Sequence, residues 1–398
     1  MRDATMSKSI ACMNVKFSPN LGDGLLSECL ETGLIEAGAA AETTSIDLAG
    51  RTGYSQFMPG RGTAMKILEA LPDGVRHLAV RAPLALQARR KWAPHYMAHL
   101  SEANAVVIGG GNLLSDHDLN FPTKLALSLQ AAERCDVPVC FYACGMGQAW
   151  SKEGDRRVRK ALELCQPKAV FLRDQMSKER WDERFGDVSG QMAEVVRDPG
   201  LLARDTYGGA EKNSGEAPLI GLGIMSHVAV RYHADARQTE TELLRWYADL
   251  ARSLVKKGAR VRAFTNGASE DVETLDLLKD DLLALGEAAE IATPKTPHDL
   301  SDTVAGLDGL VAYRMHALIA AYSHRVPAVA LRWDDKVDAF LGSVARLDWL
   351  HDPADVPPHD AADLALKAAE FGIDGAQHKM VIKEARQDVA RLYAVFKP

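Results

Sequence analysis

The stretch DGLVAYRMHALIAAYSHRVPAVALRWDDKVDAF, residues 308–340, contains two apolar strands, each followed by a segment with helical periodicity. In the first helical segment, apolar residues recur at the i, i+3, i+4, i+7 spacing that places them on one helix face: Met315, Leu318, Ile319 and Tyr322. Strand, helix, strand and helix in this order are typical of parallel βαβ units. The stretch therefore predicts a buried parallel sheet flanked by helices.

The same alternation extends through the chain on both sides of this stretch. Further strands are predicted at 9–17, 43–48, 104–111, 137–145, 168–174, 218–224, 260–265 and 288–292. Segments of helical period lie between them, including 63–71, 85–100, 121–134, 238–257 and 270–285. The fold class predicted from this pattern is α/β, with two Rossmann-like lobes facing a cleft.

The domain boundaries follow from a polar, glycine-containing stretch without period at 204–217, which is the predicted linker. Residues 1–203 form the predicted N-terminal lobe and residues 218–360 the C-terminal lobe. The amphipathic helices in 361–398 are expected to return to the first lobe. A chain of 398 residues suits two domains of about 100–200 residues each.

Composition excludes several classes of protein. With 47% hydrophobic and 25% charged residues, the chain is typical of a soluble globular protein, and a net charge of −7 argues against a nucleic-acid partner. No signal peptide or run of about 18 apolar residues is visible, so a cytoplasmic location with at most peripheral membrane contact is expected. The six cysteines form no CxxC pair, which favours buried reduced thiols over zinc sites or disulfides.

Three potential cations follow the last two apolar strands of the opening stretch. Arg314 and His316 follow the first strand, and Lys336 follows the second. Ligands of open parallel sheets bind outside the carboxyl ends of the strands, so these side chains predict a site for a small anion. In the alternative interpretation, Arg314 pairs with a nearby acid, Asp334 or Asp335 only caps a helix, and Lys336 is solvated.

Several motifs in fixed order resemble the polysaccharide pyruvyltransferase family. YRMHALIAA followed by VPAVALRWDDKVDAF resembles its carboxyl-terminal signature, an Arg-x-His-Ala helix start and a downstream Asp-x-Lys turn. Four earlier stretches fit in the same order: SPNLGDGLL, VVIGGGNLL, VFLRDQMS with Arg173, Asp174 and Ser177, and RDPGLL with Asp198. The resemblance extends over about residues 12–342 and implies a GT-B-like fold.

The resemblance implies a ketal pyruvyltransferase, which moves a pyruvyl group from phosphoenolpyruvate onto two hydroxyls of a sugar. It would act in the assembly of bacterial exopolysaccharide or cell-surface polysaccharide. Arg173 and Arg314 would then bind the anionic groups of phosphoenolpyruvate, and Lys336 its phosphate. His316 is either the general acid or a phosphate ligand. Phosphoenolpyruvate is a co-substrate, and no other cofactor or metal is expected.

The acceptor is assigned to glycine-containing turns of the N-terminal lobe. Asp23 is expected to contact or deprotonate the acceptor hydroxyl, and further contacts are expected from Asn20, Gly22, Gly110, Gly111 and Asn112. The sugar itself is not identified and is either lipid-linked or nucleotide-linked. Without the resemblance, Asn20 and Asp23 fit an ordinary turn and helix cap equally well. GGGNLL lacks the Gly-Lys-Ser/Thr of a P-loop, which argues against an ATP site.

Other features of the sequence allow two interpretations each. Asp116, His117 and Asp118 suggest either a metal site or solvated turn residues, and Arg173 either a ligand contact or a surface ion pair beside a cap. The basic helix 85–100 is either a solvated face or a contact for an anionic, lipid-linked acceptor. The alternative activity is a GT-B glycosyltransferase with a nucleotide-sugar donor, and a non-catalytic sugar-binding relative is a third possibility.

Overall fold

The structure is a computed structural model and describes residues 7–54, 83–210, 217–229 and 238–397. The chain divides into two compact units. Lobe 1 comprises Met1–Ser18, Leu26–Pro199 and Glu384–Pro398, and lobe 2 comprises Pro19–Leu25 and Gly200–Lys383. The predicted helix 63–71 lies outside the described residues.

The described part of lobe 1 contains a parallel sheet. Its strands are β1 (Ile10–Asn14), β2 (Thr44–Asp47), β3 (Ala105–Gly109), β4 (Val139–Cys144), β5 (Ala169–Leu172) and β6 (Glu194–Val195). Their spatial order is β2-β1-β3-β4-β5-β6, and all pairs are parallel. The helices are α1 (Leu21–Glu36), whose first residues belong to lobe 2, α2 (Ala93–Leu100), α3 (Asn120–Arg134), α4 (Lys152–Leu164) and α5 (Gln175–Ser189).

Lobe 2 repeats this architecture. Its strands are β7 (Leu219–Gly223), β8 (Arg260–Phe264), β9 (Ala289–Ile291), β10 (Gly309–Ala312), β11 (Ala328–Leu331) and β12 (Leu350–His351), in the order β12-β11-β10-β7-β8-β9. The helices are α6 (Ala203–Tyr207), α7 (Glu240–Lys256), α8 (Ser269–Leu283), α9 (Pro297–Ala305), α10 (Met315–Ser323), α11 (Asp335–Ser343), α12 (Pro358–Phe371) and α13 (Gly375–Val395). The last residues of α13 belong to lobe 1.

The central strands are apolar along their whole length because helices cover both faces of each sheet. Every residue of β1, β3, β4, β7 and β10 is buried. The stripe that predicted α10 is buried as expected, at 4% exposure or less for Met315, Leu318, Ile319 and Tyr322. Burial extends to every residue of α10, so this helix is a rigid core element.

Each sheet has one point where the strand order reverses. In lobe 2, β7 to β9 run outward in one direction and β10 to β12 in the other, so the reversal lies between β7 and β10. In lobe 1 it lies between β1 and β3. Loops that leave the carboxyl ends of these strands diverge, and the crevice between them is the usual ligand site of such sheets.

The structure differs from the sequence prediction in several details. The first residues of the predicted linker 204–217 are helical in α6, and α12 belongs to lobe 2 although 361–398 was expected to return to lobe 1. The two-residue strands β6 and β12 were not predicted, since so short a segment carries no period. A π-helix, Ala88–Trp92, precedes α2 where a continuous basic helix was expected. None of the described helices combines the length and apolar character needed to cross a membrane.

Candidate active site

His316 lies against the backbone of Gly22 in lobe 2. The imidazole is in the first turn of α10, just beyond the carboxyl end of β10, and the residue is 9% exposed. A Cβ atom added at Gly22 would lie 2.4 Å from both the Cβ and Nδ1 atoms of His316. Only glycine permits this approach, so the NLGDG turn and the histidine form one packed unit.

Asp23 is the carboxylate next to this histidine. Its Oδ1 lies 3.8 Å from His316 Nδ1, and both side chains are largely buried, at 17% and 11% exposure. The distance is too long for a direct hydrogen bond but within the range of a charge pair. The turn is held locally, because the amide of Gly22 donates to Asn20 Oδ1 at 3.2 Å and the amide of Asp23 donates to the Asn20 carbonyl at 3.0 Å.

The assignment of Asn20, Gly22 and Asp23 to the N-terminal lobe differs from the division of the structure. These residues follow β1 in the chain, but Pro19–Leu25 belongs to lobe 2. One contact that holds the segment there is the amide of Leu21, which donates to the carbonyl of Asn266 at 2.7 Å. The predicted acceptor residues of this turn and the predicted acid His316 therefore share one lobe.

Arg314 is oriented by a buried carboxylate of another helix. Its Nε donates to Asp271 Oδ2 at 2.8 Å, and Nη2 lies 2.7 Å from the same oxygen. The Asp271 side chain is fully buried in the first turn of α8, and its Oδ1 accepts from the amide of Ser226 at 2.9 Å. Burial raises the pKa of Asp271, and Arg314 and the Ser226 amide oppose that increase. The predicted alternative, an acid paired with Arg314, is confirmed.

That ion pair spans the point where the strand order of lobe 2 reverses. Arg314 follows β10 and Ser226 follows β7, its neighbour in the sheet. Since Asp271 uses the Nε and Nη2 side of the guanidinium, Nη1 has no protein partner among the described residues. A planar guanidinium anchored in this way is suited to bind an oxyanion.

Lys336 lies at the carboxyl end of β11, next in the sheet to β10. Its Nζ is 4.0 Å from the centroid of the Trp333 ring and 3.1 Å from Asp334 Oδ2, with 16% of the side chain exposed. Asp334 caps α11, because Asp334 Oδ1 accepts from the amide of Lys336 at 2.9 Å. The expected cap is confirmed. The expectation of a solvated Lys336 is wrong, because the ammonium is held over an aromatic face.

Lobe 1 contains a second cluster, around Gly145. A Cβ at this glycine would lie 2.2 Å from Arg173 Nη2 and 2.8 Å from Asn112 Oδ1, so the guanidinium lies directly on the backbone. The Arg173 side chain is 7% exposed, and its Nε donates to Asp174 Oδ2 at 3.3 Å. Asp174 also caps α5 by accepting from the amide of Ser177 at 2.7 Å. The cap predicted beside Arg173 is therefore present.

The glycines that precede Asn112 adopt the conformation that their residue type permits. Gly110 and Gly111 have φ angles of 82° and 69°, in the left-handed region, and they follow β3 at the reversal point of lobe 1. The amide of Gly145 donates to the Gly111 carbonyl at 2.8 Å, which ties this loop to the end of β4. The structure thus brings Gly110, Gly111 and Asn112 to the same edge as Arg173.

Sequence reasoning missed three residues of these clusters. Asp271 and Gly145 have no motif of their own, because their roles depend on Arg314 and Arg173. Asn266 could have been found, since it follows an apolar strand inside the polar turn TNGAS, in the same way that Arg314 follows its strand. Its side chain is 1% exposed, and neither polar atom has a hydrogen-bond partner in the described part of the chain.

The remaining candidate features are structural in the described residues. Asp116 accepts from the amide of Leu119 and from Ser151, which caps α4, and no group of three or more His, Cys, Asp or Glu among the described residues could hold a metal ion. None of the six cysteines forms a disulfide and none is exposed, and burial raises the pKa of Cys144 to about 12. Basic residues of the π-helix, Arg89, Arg90 and Lys91, are exposed, whereas Trp92 is buried.

Similarity to solved structures defines the class of fold. A putative UDP-N-acetylglucosamine 2-epimerase from Listeria monocytogenes matches over 98% of this chain and 96% of its own, with 12% identity and a TM-score of 0.59. The UDP-GlcNAc 2-epimerase from Methanocaldococcus jannaschii matches over 92% of both chains, with 12% identity and a TM-score of 0.50. The spinosyn rhamnosyltransferase SpnG, complexed with thymidine diphosphate, matches over 98% of this chain and 100% of its own, also with 12% identity and a TM-score of 0.50.

At such low identity these similarities show the fold alone. They confirm the predicted class, two Rossmann-like lobes of the GT-B type, each with its own parallel sheet. No curated protein sequence matches the chain. The family model described as polysaccharide pyruvyl transferase matches residues 20–335, from the NLGDG turn to the start of α11. The chain belongs to the polysaccharide pyruvyl transferase family, as the motifs indicated.

Proposed function

We propose that this protein transfers the pyruvyl group of phosphoenolpyruvate onto two hydroxyls of a sugar and forms a cyclic ketal. The sugar would be an intermediate of bacterial exopolysaccharide or cell-surface polysaccharide, carried by a lipid or a nucleotide. Membership of the family supports a polysaccharide-directed transferase. The donor and the ketal are our inference from the site in lobe 2.

The observation that carries the proposal is the His316–Asp23 pair on Gly22, at the same sheet edge as Arg314. Phosphoenolpyruvate has a carboxylate and a phosphate close together, and it needs fixed cationic donors for both. Arg314 offers a planar guanidinium already oriented by Asp271, and Lys336 offers an ammonium at the next strand. We assign Arg314 to the oxyanion groups and Lys336 to the phosphate.

The proposed reaction begins with a proton transfer from His316 to the methylene carbon of phosphoenolpyruvate. This step converts the methylene to the methyl of the product and leaves an oxocarbenium-like centre at the neighbouring carbon. One sugar hydroxyl attacks that carbon and loses its proton to Asp23. The bond between that carbon and the phosphate oxygen then breaks, phosphate departs, and the second hydroxyl closes the ketal ring and gives its proton to His316, which is neutral after the first step. The products are the pyruvyl ketal and inorganic phosphate.

The role of His316 can be tested against the other role predicted for it, that of a phosphate ligand. A general acid must deliver a solvent-derived proton, so the wild-type reaction in D2O should place deuterium in the pyruvyl methyl group. If His316 is the acid, His316→Gln should lower kcat and leave the KM for phosphoenolpyruvate nearly unchanged. A large rise in that KM with kcat preserved would instead assign His316 to the phosphate.

The same sheet edge would also suit the diphosphate of a nucleotide sugar, so the donor has to be tested directly. Phosphoenolpyruvate by itself should raise the melting temperature of the purified protein, which a glycosyltransferase with a nucleotide-sugar donor would not show. With lipid-linked and nucleotide-linked sugars as acceptors, phosphate release should occur and should be lost in His316→Ala. His359→Ala, at an exposed histidine of α12, is the matched control. Stabilisation by nucleotide sugars alone would overturn the proposal and favour a glycosyltransferase.

The predicted roles of the lobe 1 residues stay predictions. Arg173 is expected to bind the anionic groups of the donor, and Gly110, Gly111 and Asn112 are expected to contact the acceptor. Their common cluster around Gly145 supports a ligand-contacting role for this edge, because it brings the Arg173 guanidinium and the Asn112 amide together at the ends of the strands. Arg173→Ala should raise the KM for phosphoenolpyruvate if the assignment is correct.

A further inference from the structure

Asn266 is a buried polar residue that the proposed mechanism does not use. It follows β8, whose neighbour β7 flanks the reversal point of the lobe 2 sheet. The residue is 1% exposed, and neither Oδ1 nor Nδ2 has a hydrogen-bond partner among the residues that the structure describes.

A buried amide without partners is uncommon, because it loses its hydrogen bonds to water and gains none in return. The neighbouring polar side chain does not share this feature, since Thr265 Oγ1 accepts from the amide of Gly267 at 3.1 Å. An apolar residue of the same shape at position 266 would avoid the cost. The amide therefore points to a ligand that supplies the missing hydrogen bonds.

The backbone around Asn266 is locked to the turn that carries the proposed base. The carbonyl of Asn266 accepts from the amide of Leu21 at 2.7 Å. Gly267 has a φ angle of 90°, and a Cβ there would lie 2.8 Å from the carbonyl oxygen of Pro19. These two contacts flank Asn20 and place Asn266 next to the segment that bears Gly22 and Asp23. The side-chain amide of Asn266 therefore lies near the His316–Asp23 pair.

The chemistry of an amide selects between the two substrates of the proposed reaction. Its nitrogen donates two hydrogen bonds, and its oxygen only accepts. Phosphoenolpyruvate in its ionised form offers acceptors, which would leave the amide oxygen of Asn266 facing an anion. A pair of neighbouring hydroxyls offers both a donor and an acceptor and matches the amide at both atoms.

We propose that the side chain of Asn266 binds the two acceptor hydroxyls that become the ketal oxygens. This inference rests on the proposed function and adds a residue that determines acceptor specificity. Oδ1 accepts from one hydroxyl and Nδ2 donates to the other, so that a sugar lacking either hydroxyl leaves part of the amide unpaired. The residue selects a diol and makes no contact with the donor.

The test is Asn266→Leu, which keeps the approximate shape and removes both polar atoms. Acceptor KM is measured by phosphate release with the best acceptor from a panel of UDP-glucose, UDP-galactose, UDP-N-acetylglucosamine and the 4-nitrophenyl glycosides of galactose, glucose and mannose. The Kd for phosphoenolpyruvate is measured by calorimetry. We expect the acceptor KM to rise about 10- to 100-fold, the donor Kd to change less than about twofold, and the melting temperature to stay the same or rise.

Asn14→Leu is the matched comparison for stability. Asn14 is also 1% exposed, but its Nδ2 donates to Ser45 Oγ and its Oδ1 accepts from the amide of Lys16. Its replacement should lower the melting temperature, because it removes a hydrogen-bond partner from the half-buried Ser45 hydroxyl and Lys16 amide. A fall of the same size in Asn266→Leu, with an unchanged acceptor KM, would assign Asn266 a structural role and overturn the inference.

Two further outcomes are distinguishable. A donor Kd weakened as much as the acceptor KM would place Asn266 on phosphoenolpyruvate and overturn the inference while leaving the proposed function intact. A wild-type protein that releases no phosphate with any acceptor of the panel or with lipid-linked sugars would contradict the proposed function itself, and with it the inference. The first failure is visible only in the variant and the second already in the wild type.

Discussion

Two arginines follow buried parallel strands, one in each lobe, and they are held in different ways. Arg173 of lobe 1 contacts Asp174, the next residue in the chain, at 3.3 Å, and lies on Gly145. Arg314 of lobe 2 contacts Asp271, a fully buried residue on another helix, at 2.7 and 2.8 Å. The first arrangement is local, and the second depends on the packing of α8 against the end of β10.

The difference shows where each lobe can tolerate change. The Arg173 guanidinium has a neighbour that any Asp at a helix cap would supply, at the longer distance of 3.3 Å. The Arg314 guanidinium is fixed by a carboxylate that is itself fixed by the amide of Ser226. We therefore expect matched substitutions to cost more in lobe 2 than in lobe 1.

The largest expected effect is that of Asp271→Asn. The substitution removes the buried carboxylate charge 2.7 Å from Arg314 Nη2 and leaves the more exposed Glu270 carboxylate at 3.7 Å. Breaking such a buried pair costs about 3–5 kcal/mol of unfolding free energy. Asp174→Asn should cost less than about 1 kcal/mol, because asparagine caps a helix nearly as well as aspartate. Urea unfolding followed by tryptophan fluorescence measures both. Equal losses in the two variants would contradict the comparison.

The next effect concerns the far end of α10, the helix that carries His316. His324 accepts or donates a hydrogen bond at 2.8 Å with Ser301 Oγ, and burial, assisted by Arg204, lowers its pKa to about 4. The unfolded state takes up this proton near pH 6.5, whereas the folded state takes it up only near pH 4. The contribution of neutral His324 to the free energy of unfolding is therefore fully present above pH 6.5 and is lost as the pH falls from 6.5 to 4. The loss should approach about 3 kcal/mol below pH 4.

His324→Gln is the variant that checks this pH dependence. The slope of unfolding free energy against pH between about 6.5 and 4 should be shallower in the variant than in the wild type. His378, whose pKa is also lowered by burial, packs against the same end of α10 and should account for part of the remaining slope. An unchanged slope would show that His324 does not couple lobe 2 to pH.

Gly22→Ala and Gly145→Ala compare the two glycines that support the site residues. The new methyl at Gly22 would meet the Cβ of His316, which cannot move without α10, so phosphate release should fall about 100-fold. At Gly145 it would meet the tip of a flexible guanidinium, and we expect a loss of about 10-fold at most. Gly53→Ala, where no atom of the described residues lies within 4 Å of the added Cβ, is the control. A larger loss at Gly145 would reverse the comparison.

The smallest expected effect is that of Lys336→Met. Methionine preserves most of the side-chain packing over Trp333 and removes the positive charge, so the KM for phosphoenolpyruvate should rise about 10-fold with little change in melting temperature. Lys367→Met, on α12 near Phe371, is the control for a lysine lying over an aromatic ring. An unchanged KM would remove Lys336 from the site.

Much of the fold was predictable because it depends on local patterns. The apolar runs of β3, β4, β7 and β10 and the stripe of α10 follow from period and composition, and all of them are buried as expected. The short edge strands β6 and β12 were missed, because two residues paired at a sheet edge leave no sequence pattern.

For the site, the sequence by itself determined which residues follow the ends of predicted strands, namely Arg173, Arg314, His316 and Lys336. It also determined the positions of the glycine-containing turns around Asp23 and Asn112. Tertiary structure decided their partners. Only the folded chain places Asp23 beside His316, Asp271 under Arg314, and Asn266 against the NLGDG turn. The physical reason is that periodicity and turn chemistry act over a few residues, whereas burial and charge pairing join side chains that are tens to hundreds of residues apart in the chain.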